Sequence, residues 1–403
     1  MTLTELSALI HYSKGQLSKV ETGNKRPTPQ LARLCDGALN NGGALIALVP
    51  ERSERHRDEE TPPEVQPSSS PWDPPGRRKV LVSGAASMLG ATMPDGHRPL
   101  DPLADGTLLD ASRALFDQFR RVGQTAPPGA VLPALTEQTR TLRTLAVRSG
   151  PRTRLGLLTL CARYAEFAGW MAQEAGEDQA ALRWTDYAVE LAAASDDDSL
   201  SSYALVRRGL VAYYQGDAAA TVALAQGARS HRLPYRIRGL AAQREAQGHA
   251  LAGNHTACMR ELDHARSLLA QGSQDSAGPV IGTTHLQDPV GMITGWCLLD
   301  LGKPRQAAKM LDQEVERIPA KAMRTHARYG ARRALAHALA GEVEHACSVA
   351  QGLLSAAHIV GSATIALDLR RLSRTLGRHP KNPAVQELAP LLAFALSPTA
   401  RVL

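Results

Sequence analysis

The sequence predicts an all-α protein in which a small helical bundle is linked to a superhelix of α-helical hairpins. Long segments rich in Ala, Leu, Arg and Glu favour helix over strand. Residues that cap helices recur in the first 50 residues, and glycine-containing turns recur at steps of 40, 37, 49 and 39 residues in the second half. A chain of 403 residues typically forms two or three domains, so we assign the two patterns to different domains.

The first two helices are predicted from paired capping residues. Thr2 stands three positions before Glu5, which is the spacing of a capping box, so a helix is expected to begin at the residue after Thr2. Ser13 and Gln16 repeat the pattern and start a second helix. This helix is expected to end near Gly23, which can adopt the left-handed conformation. A tight turn therefore joins two short helices.

Two further helices complete the predicted bundle. Thr28 is placed to cap a helix with Pro29 at its first position, where proline is tolerated. The glycines of residues 41–43 end that helix. A last short helix is expected through Leu45 and Leu48.

The string across the second helix is typical of a known family. It reads Tyr12-Ser13-Lys14-Gly15 and then Leu17-Ser18-Lys19-Val20-Glu21-x-Gly23, and residues 1–50 resemble the Xre family of helix-turn-helix regulators, in their actinobacterial type. The resemblance implies that the second helix enters the major groove of double-stranded DNA, while the loop after it contacts phosphates. The DNA-binding residues that it implies are Ser13, Lys14, Gln16, Ser18, Lys19, Lys25 and Arg26. For the basic residues, the alternative is an ordinary solvated charge.

The bundle is expected to be incomplete, because its first helix is missing. Members of the family carry one more helix before the two helices of the helix-turn-helix, whereas Met1 falls where that helix should already have ended. Leu6, Leu9 and Val20 are therefore expected to lack a packing partner. Two interpretations stay open: a start of the protein upstream of Met1, and a truncated domain of marginal stability.

Residues 51–105 separate the two domains. The charged and then Pro- and Ser-rich composition of residues 51–78 predicts a flexible linker. Residues 79–105 are interpreted as an apolar docking segment and a loop. The pair Arg77-Arg78 before the apolar run is weakly similar to an export signal or a membrane anchor. The run is internal and shorter than the ~20 residues that span a bilayer, so we predict no membrane contact.

Residues 106–397 are predicted to form helical hairpins around the recurring turns. A small residue stands seven positions before each turn glycine, and a second position, five residues after it, is also small in most cases. The turn glycines are Gly176, Gly216, Gly253, Gly302 and Gly341, the earlier positions are Gly169, Gly209, Ala246, Gly295 and Ala334, and the later positions are Ala181, Thr221, Cys258, Ala307 and Ala346. Small side chains let paired helices approach closely. The array resembles degenerate tetratricopeptide repeats, which have a concave binding face.

Helical spacing predicts which side chains line the concave face. The predicted ligand-groove residues are Arg163, Glu166, Trp170 and Gln173 on one helix face, and Tyr203, Tyr213, Gln243, Gln247, Trp296 and Arg328 on the equivalent faces of later hairpins. Aromatic, amide and charged groups together suit an extended peptide. The alternative is that the aromatic residues pack between hairpins and the charged residues are solvated.

No sequence motif indicates an enzyme. Five scattered cysteines form no C-x-x-C pair, so free thiols in a reducing cytosol are expected. His255, Cys258 and His264 lie close in sequence, but a metal site there is not favoured. Motifs of zinc proteases, serine hydrolases and phosphate-binding loops are absent from the sequence. We therefore predict no catalytic residue, no metal and no cofactor.

Together these observations predict a cytoplasmic transcriptional regulator. Its net charge of +7 is compatible with a polyanionic partner, although most of the basic excess lies outside the first 50 residues. The expected partners are a double-stranded DNA operator, a peptide or protein effector bound by the repeats, and a second copy in a homodimer, because one reader helix makes few base contacts. The alternative is a helical-repeat interaction scaffold with a vestigial DNA-binding domain.

Overall fold

The computed structural model describes residues 1–49, 73–74, 102–195, 197–272, 281–282 and 285–397, and these residues confirm the all-α prediction, since they contain no strand. None of the described helices has both the length and the apolar composition needed to cross a membrane. The helices of the N-terminal bundle are α1 (Leu3–Ile10), α2 (Lys14–Glu21), α3 (Pro29–Leu39) and α4 (Ala44–Ala47).

The remaining described helices form one array. They are α5 (Pro102–Val122), α6 (Pro128–Arg148), α7 (Pro151–Glu174), α8 (Asp178–Ala193), α9 (Asp198–Gln215), α10 (Ala218–Gly227), α11 (Tyr235–Leu251), α12 (His255–Gln271), α13 (Pro289–Asp300), α14 (Pro304–Val315), α15 (Met323–Leu339), α16 (Val343–Val360), α17 (Ala363–Leu376) and α18 (Pro383–Leu396). The array starts at Pro102, before the predicted residue 106. Most of the predicted linker and docking segment lies outside the described residues. Within the linker, the Asp73 carboxylate accepts a hydrogen bond from Arg183 Nε at 2.7 Å.

The predicted caps of α1 and α2 are present. The Thr2 hydroxyl accepts a hydrogen bond from the Glu5 amide at 3.2 Å, and the Glu5 carboxylate accepts one from the Thr2 amide at 2.7 Å. Ser13 Oγ accepts a bond from the Gln16 amide at 3.2 Å, whereas the side chain of Gln16 returns none to Ser13 within the described bundle. His11, with φ of 53°, turns the chain between the two helices.

The later part of the bundle contains one cap that the sequence did not predict. Thr28 caps α3 and Gly23 is left-handed, as predicted. In addition, the buried carboxylate of Asp36 accepts hydrogen bonds from the amides of Leu45 at 2.9 Å and Ile46 at 2.8 Å. An acid inside α3 therefore satisfies the free N–H groups at the start of α4.

Five hairpins of the array turn at the predicted glycines. All five turn glycines are left-handed, with φ between 72° and 89°, a conformation that is strained for residues with a side chain. They connect α7 to α8, α9 to α10, α11 to α12, α13 to α14, and α15 to α16. The predicted hairpin organisation is therefore confirmed.

The small residues at fixed offsets hold the two helices of each hairpin together. All ten of these positions are buried. A Cβ atom added to Gly295 of α13 would lie 2.8 Å from Cγ of Leu311 in α14. On Gly169 of α7, an added Cβ would lie 3.2 Å from the Cβ of Trp184 in α8. Larger residues at these positions would push the paired helices apart.

The array closes on itself through the buried carboxylate of Glu174. This residue ends α7, is 1% exposed, and pairs with Arg324 at 3.0 Å and with Arg328, both of α15. It also accepts hydrogen bonds from Ser362 at 2.7 Å and Thr364 at 3.0 Å, at the start of α17. The hairpin α7–α8 is thereby fixed to α15 and to the start of α17.

The segment between α5 and α6 adds to the same junction. Arg324 donates hydrogen bonds to the carbonyl oxygens of Gly123 at 2.7 Å and Ala126 at 2.6 Å. The Thr325 hydroxyl donates to Gln124 Oε1 at 2.8 Å. We call the contacts of Glu174, residues 123–126, residues 324–328 and residues 362–364 the closure seam.

The N-terminal bundle packs against the turns of three hairpins. The backbones come so close that a Cβ atom on Gly37 of α3 would lie 2.5 Å from the carbonyl oxygen of Gly302. Gly37, Gly43 and His11 lie against the turn glycines Gly302, Gly253 and Gly341, respectively. The bundle therefore rests on the turns of α11–α12, α13–α14 and α15–α16.

Side chains extend this contact to α17. Gln30 Nε2 donates a hydrogen bond to Thr375 Oγ1 at 3.2 Å, and the guanidinium of Arg378 lies 4.3 Å from the ring centre of Tyr12. Four residues of the bundle belong to the same hydrophobic core as the array, namely Ile10, Leu17, Leu31 and Leu34.

This shared core changes one expectation. Leu6 and Val20 pack against it and are partly buried, so the expectation that they lack a partner is wrong. The same expectation concerned Leu9, which is 51% exposed and is not among the residues packed against this core.

Candidate functional site

The first candidate site is the exposed surface of α2. Leu17 is 4% exposed and anchors the helix in the core. Ser13, Lys14 and Lys19 are exposed, while Gln16 and Ser18 are partly buried. We call these five polar residues the reader face. Nothing lies within 4 Å of the position that a Cβ atom would take on Gly15, so the first turn of α2 is open to a partner.

The basic loop after α2 lies beside the reader face. The Lys25 amide donates a hydrogen bond to the Lys19 carbonyl at 2.8 Å, which holds the loop against the last turn of α2. Lys25 and Arg26 are both exposed. The close backbone contacts with the array involve other residues of the bundle, so docking leaves the reader face and the loop accessible.

The second candidate site is a cavity of about 200 Å³ inside the array. Its walls come from α5, α7, α9, α11, α13 and α15, together with residues 281–286 where these are described. Seven predicted groove residues line it, namely Arg163, Glu166, Trp170, Tyr203, Gln243, Trp296 and Arg328. The first helices of the hairpins thus face a common interior, as in a tetratricopeptide superhelix.

Three predicted groove residues do not line the cavity. Gln173, Tyr213 and Gln247 are buried behind its wall. Gln173 Oε1 accepts a hydrogen bond from Arg207 at 3.3 Å, and Gln247 Oε1 accepts one from Arg244 at 2.6 Å. The groove prediction is wrong for these three, because helical spacing locates a face but does not separate its surface from the layer behind it.

The sequence prediction also missed four arginines of the wall. Arg120, Arg207, Arg244 and Arg324 line the cavity. Arg207 stands four positions after Tyr203, and Arg324 stands four before Arg328, so each shares a helix face with a predicted residue. That spacing was the available signal.

Ion pairs hold most of these arginines. Arg163 pairs with Asp197 at 3.0 Å, and Arg207 pairs with Glu166 at 3.3 Å. At the closure seam, burial raises the pKa of Glu174, but the guanidinium groups of Arg328 and Arg324 outweigh it and lower that pKa to about 2. The seam carboxylate is therefore ionised at neutral pH.

Arg244 differs from the four arginines of the wall that form ion pairs, namely Arg163, Arg207, Arg324 and Arg328. No carboxylate pairs with it within the described chain, and its guanidinium donates a hydrogen bond to the side-chain oxygen of Gln247 at 2.6 Å. Burial lowers the pKa of Arg244 to about 10, and the neighbouring charge of Arg207 acts in the same direction. The guanidinium remains charged at neutral pH without a negative partner.

One described group of side chains could bring metal ligands together. Ligand atoms of Asp312, His337 and His345 lie within 4.8 Å of one another. However, Asp312 is paired with Arg333 at 2.5 Å, and the two ring nitrogens of His337 face the carboxylates of Asp312 and Glu342. Asp312 and His337 are therefore already engaged by Arg333 and Glu342, respectively. His255, Cys258 and His264 do not form such a group in the described chain.

Comparisons with protein-family models, with curated proteins and with solved structures find no match to this chain. Its function is therefore inferred from the geometry of the two sites.

Proposed function

We propose that the chain is a cytoplasmic, non-enzymatic regulator of transcription that binds DNA through α2 and senses an effector inside the array. The observation that carries the proposal is the pair α1–α2. Two short capped helices are joined by a tight turn, and the second presents a polar surface to solvent while Leu17 anchors it. This arrangement supports a helix-turn-helix assignment, in which the N-terminal residues of the second helix meet base edges.

Each part of the reader face has a chemical role in this proposal. Gln16 and Lys14, near the start of α2, carry groups that hydrogen-bond to base edges in the major groove. Lys25 and Arg26 supply positive charge for phosphates, a contact that fixes orientation without reading sequence. The free N–H groups at the start of α2 add a further attraction for phosphate.

The contacts of the bundle suggest how an effector acts on DNA binding. The bundle rests on the turns of α11–α12, α13–α14 and α15–α16, and the first helix of each pair lines the cavity. A ligand that changes the stacking of these hairpins would also shift the turns under the bundle. In a homodimer, such a shift would alter the distance between the two α2 helices, which must match DNA half-sites about 34 Å apart.

Two hydrogen bonds connect the cavity wall to the buried carboxylate of Asp300. The Trp296 indole N–H donates to the Tyr213 hydroxyl, which donates in turn to the Asp300 carboxylate. Burial lowers the pKa of the Arg33 guanidinium in α3, and the charge of Asp300 opposes that shift. Trp296 lines the cavity, so these hydrogen bonds link the cavity wall to a carboxylate whose charge acts on Arg33 of the bundle.

DNA selection by the purified full chain tests the proposal. We expect enrichment of one sequence from a random duplex library at low salt. Affinity for the selected duplex is then measured by fluorescence anisotropy over a series of salt concentrations. Lys25→Ala and Arg26→Ala should each reduce the salt slope, which is the slope of log affinity against log salt concentration, by about 1. Gln16→Ala should instead relax the sequence preference.

The control is Lys309→Ala, which removes an exposed lysine of α14, a helix outside the bundle. It should leave both the slope and the preference unchanged. Two results together would reject sequence-specific DNA binding and favour an interaction scaffold. The library would yield no enriched sequence, and Lys25→Ala and Arg26→Ala would have the same salt slope as Lys309→Ala.

A further inference from the structure

Side chains that line the cavity contain buried hydrogen-bond donors that have no acceptor within the described chain. Five buried nitrogen atoms of lining side chains make no hydrogen bond within the described chain: Nε and Nη1 of Arg163, Nε of Arg207, Nε of Arg244 and Nε2 of Gln243. Of these, Arg207 Nε lies near a carboxylate, that of Glu166 at 3.3 Å. No buried side-chain oxygen of the described lining residues lacks a donor. Buried polar groups are normally paired, so the wall is complementary to a ligand rich in acceptor atoms.

The glutamines behind the wall cannot reverse this balance. Gln247 Oε1 accepts a bond from Arg244, and Gln173 Oε1 accepts one from Arg207. A guanidinium can only donate, so each amide must present its oxygen to the arginine. Both Nε2 groups are then left as additional buried donors.

The charge of the wall points in the same direction. Arg163, Arg207, Arg324 and Arg328 are neutralised by only three carboxylates, because the last two share Glu174. Arg244 adds a further positive charge that no carboxylate in the described chain matches. A neutral or cationic ligand would leave this excess uncompensated in a partly desolvated site.

The remaining wall is apolar and aromatic. Phe167, Trp170, Leu240 and Ile293 line the same cavity. Such a surface accommodates the body of an organic molecule while the donors hold its charged group. The ligand is therefore expected to have a charged end and an apolar end.

We propose that the cavity binds an organic anion, with its carboxylate or phosphate oxygens held by Arg244 and the neighbouring donors. The proposal names the effector class of the regulator and rests on that proposed function for its regulatory meaning. Binding itself requires no DNA, so the two proposals fail separately. The charged group can belong to a free small acid or to the C terminus of a peptide.

Matched probes on the full chain test the ligand class by thermal shift and calorimetry. The small-molecule arm compares indoleacetate with its neutral analogue indoleacetamide and with the cation tryptamine, and phenyl phosphate with phenol. The peptide arm compares a tryptophan-ending alanine peptide that has a free C-terminal carboxylate with its C-terminal amide. We expect at least one acid to bind about tenfold or more tightly than its neutral partner.

Variants locate the interaction in the cavity. Arg244→Gln should weaken the preferred acid by about tenfold and leave the affinity of its neutral partner unchanged. Arg244→Lys, which keeps the charge, should restore part of the affinity. Since Arg244 has no carboxylate partner in the described chain, Arg244→Gln should fold and should not lower the melting temperature of the ligand-free protein. Arg208→Gln, on α9 but outside the cavity lining, is the matched control.

The comparison of the two arms identifies the source of the anion. An acid preference confined to the peptide pair indicates a peptide terminus, and one confined to the small acids indicates a metabolite-sized ligand. If no pair shows an acid preference up to saturating concentrations, or if Arg208→Gln weakens the acid as much as Arg244→Gln does, the proposal is overturned.

Discussion

A single buried carboxylate, Glu174, joins three separate stretches of the chain. It meets Arg324 and Arg328 of α15 and hydroxyl groups at the start of α17. A buried charge of this kind is tolerated only because every partner is in place, so removal of one partner leaves opposite charges uncompensated. Neither the composition nor the spacing of the sequence singles out Glu174, because its partners lie 150 and more positions away in the chain.

Glu174→Gln should therefore destabilise the fold strongly, by about 3 kcal/mol or more at neutral pH. The pKa of Glu174 lies below its usual value of 4.5, so its ionised form stabilises the folded state above that value. The stabilisation is lost as the pH falls through the acidic range towards about 2. Urea unfolding over a pH series measures both effects, and the variant should show the flatter acid dependence.

Glu137→Gln provides the matched control for this substitution. Glu137 is an exposed acid of α6 that pairs with Arg140, so its replacement should change the free energy of unfolding by less than about 1 kcal/mol. Equal losses in the two variants would contradict the role assigned to Glu174.

At the scale of the elements, local sequence patterns predicted most of the helix caps and turns. Caps at Thr2, Ser13 and Thr28 and the left-handed turn glycines act within a few residues, so a sequence pattern suffices to locate them. Groove residues were predicted less completely, because helical spacing gives a direction but not a depth. Tyr213 shows the difference: its hydroxyl is engaged by Asp300 and Trp296 behind the wall.

The contact between paired helices yields a second stability prediction. Gly295→Ala should destabilise the array by about 1–3 kcal/mol, because its Cβ would lie 2.8 Å from Leu311 Cγ and would separate α13 from α14. Gly352→Ala, an exposed position of α16 with nothing within 4 Å, should instead stabilise by up to about 1 kcal/mol. Thermal unfolding compares them directly, and a shift of the same sign in both would refute the packing argument.

At the scale of the molecule, the arrangement depends on contacts that no local pattern contains. The sequence predicted a bundle and a hairpin array, but it did not predict that backbone at Gly37 and Gly43 would meet turns at Gly302 and Gly253. Gly302 and Gly253 serve two purposes: their turns require the left-handed conformation, and docking of the bundle requires that they have no side chain. Turn chemistry is readable from sequence, whereas the partner of a turn is not.

Gly302→Ala separates these two purposes when it is compared with Gly216→Ala. Both substitutions place a side chain at positive φ and should cost about 1 kcal/mol in the turn. At Gly302 the new Cβ also meets the backbone of Arg33, whereas nothing lies within 4 Å at Gly216. Hydrogen exchange of residues 1–49 should therefore rise in Gly302→Ala alone, and equal exchange in both variants would argue against docking on the turns.

The closure seam distinguishes the array from an open solenoid. In an open solenoid each repeat touches only its neighbours, and the outermost repeats fray first. Here the Glu174 carboxylate at the end of α7 also contacts α15 and the start of α17, so the array has contacts between hairpins that are far apart in the chain. Opening the seam would therefore separate α7 from α15 and from α17 at the same time.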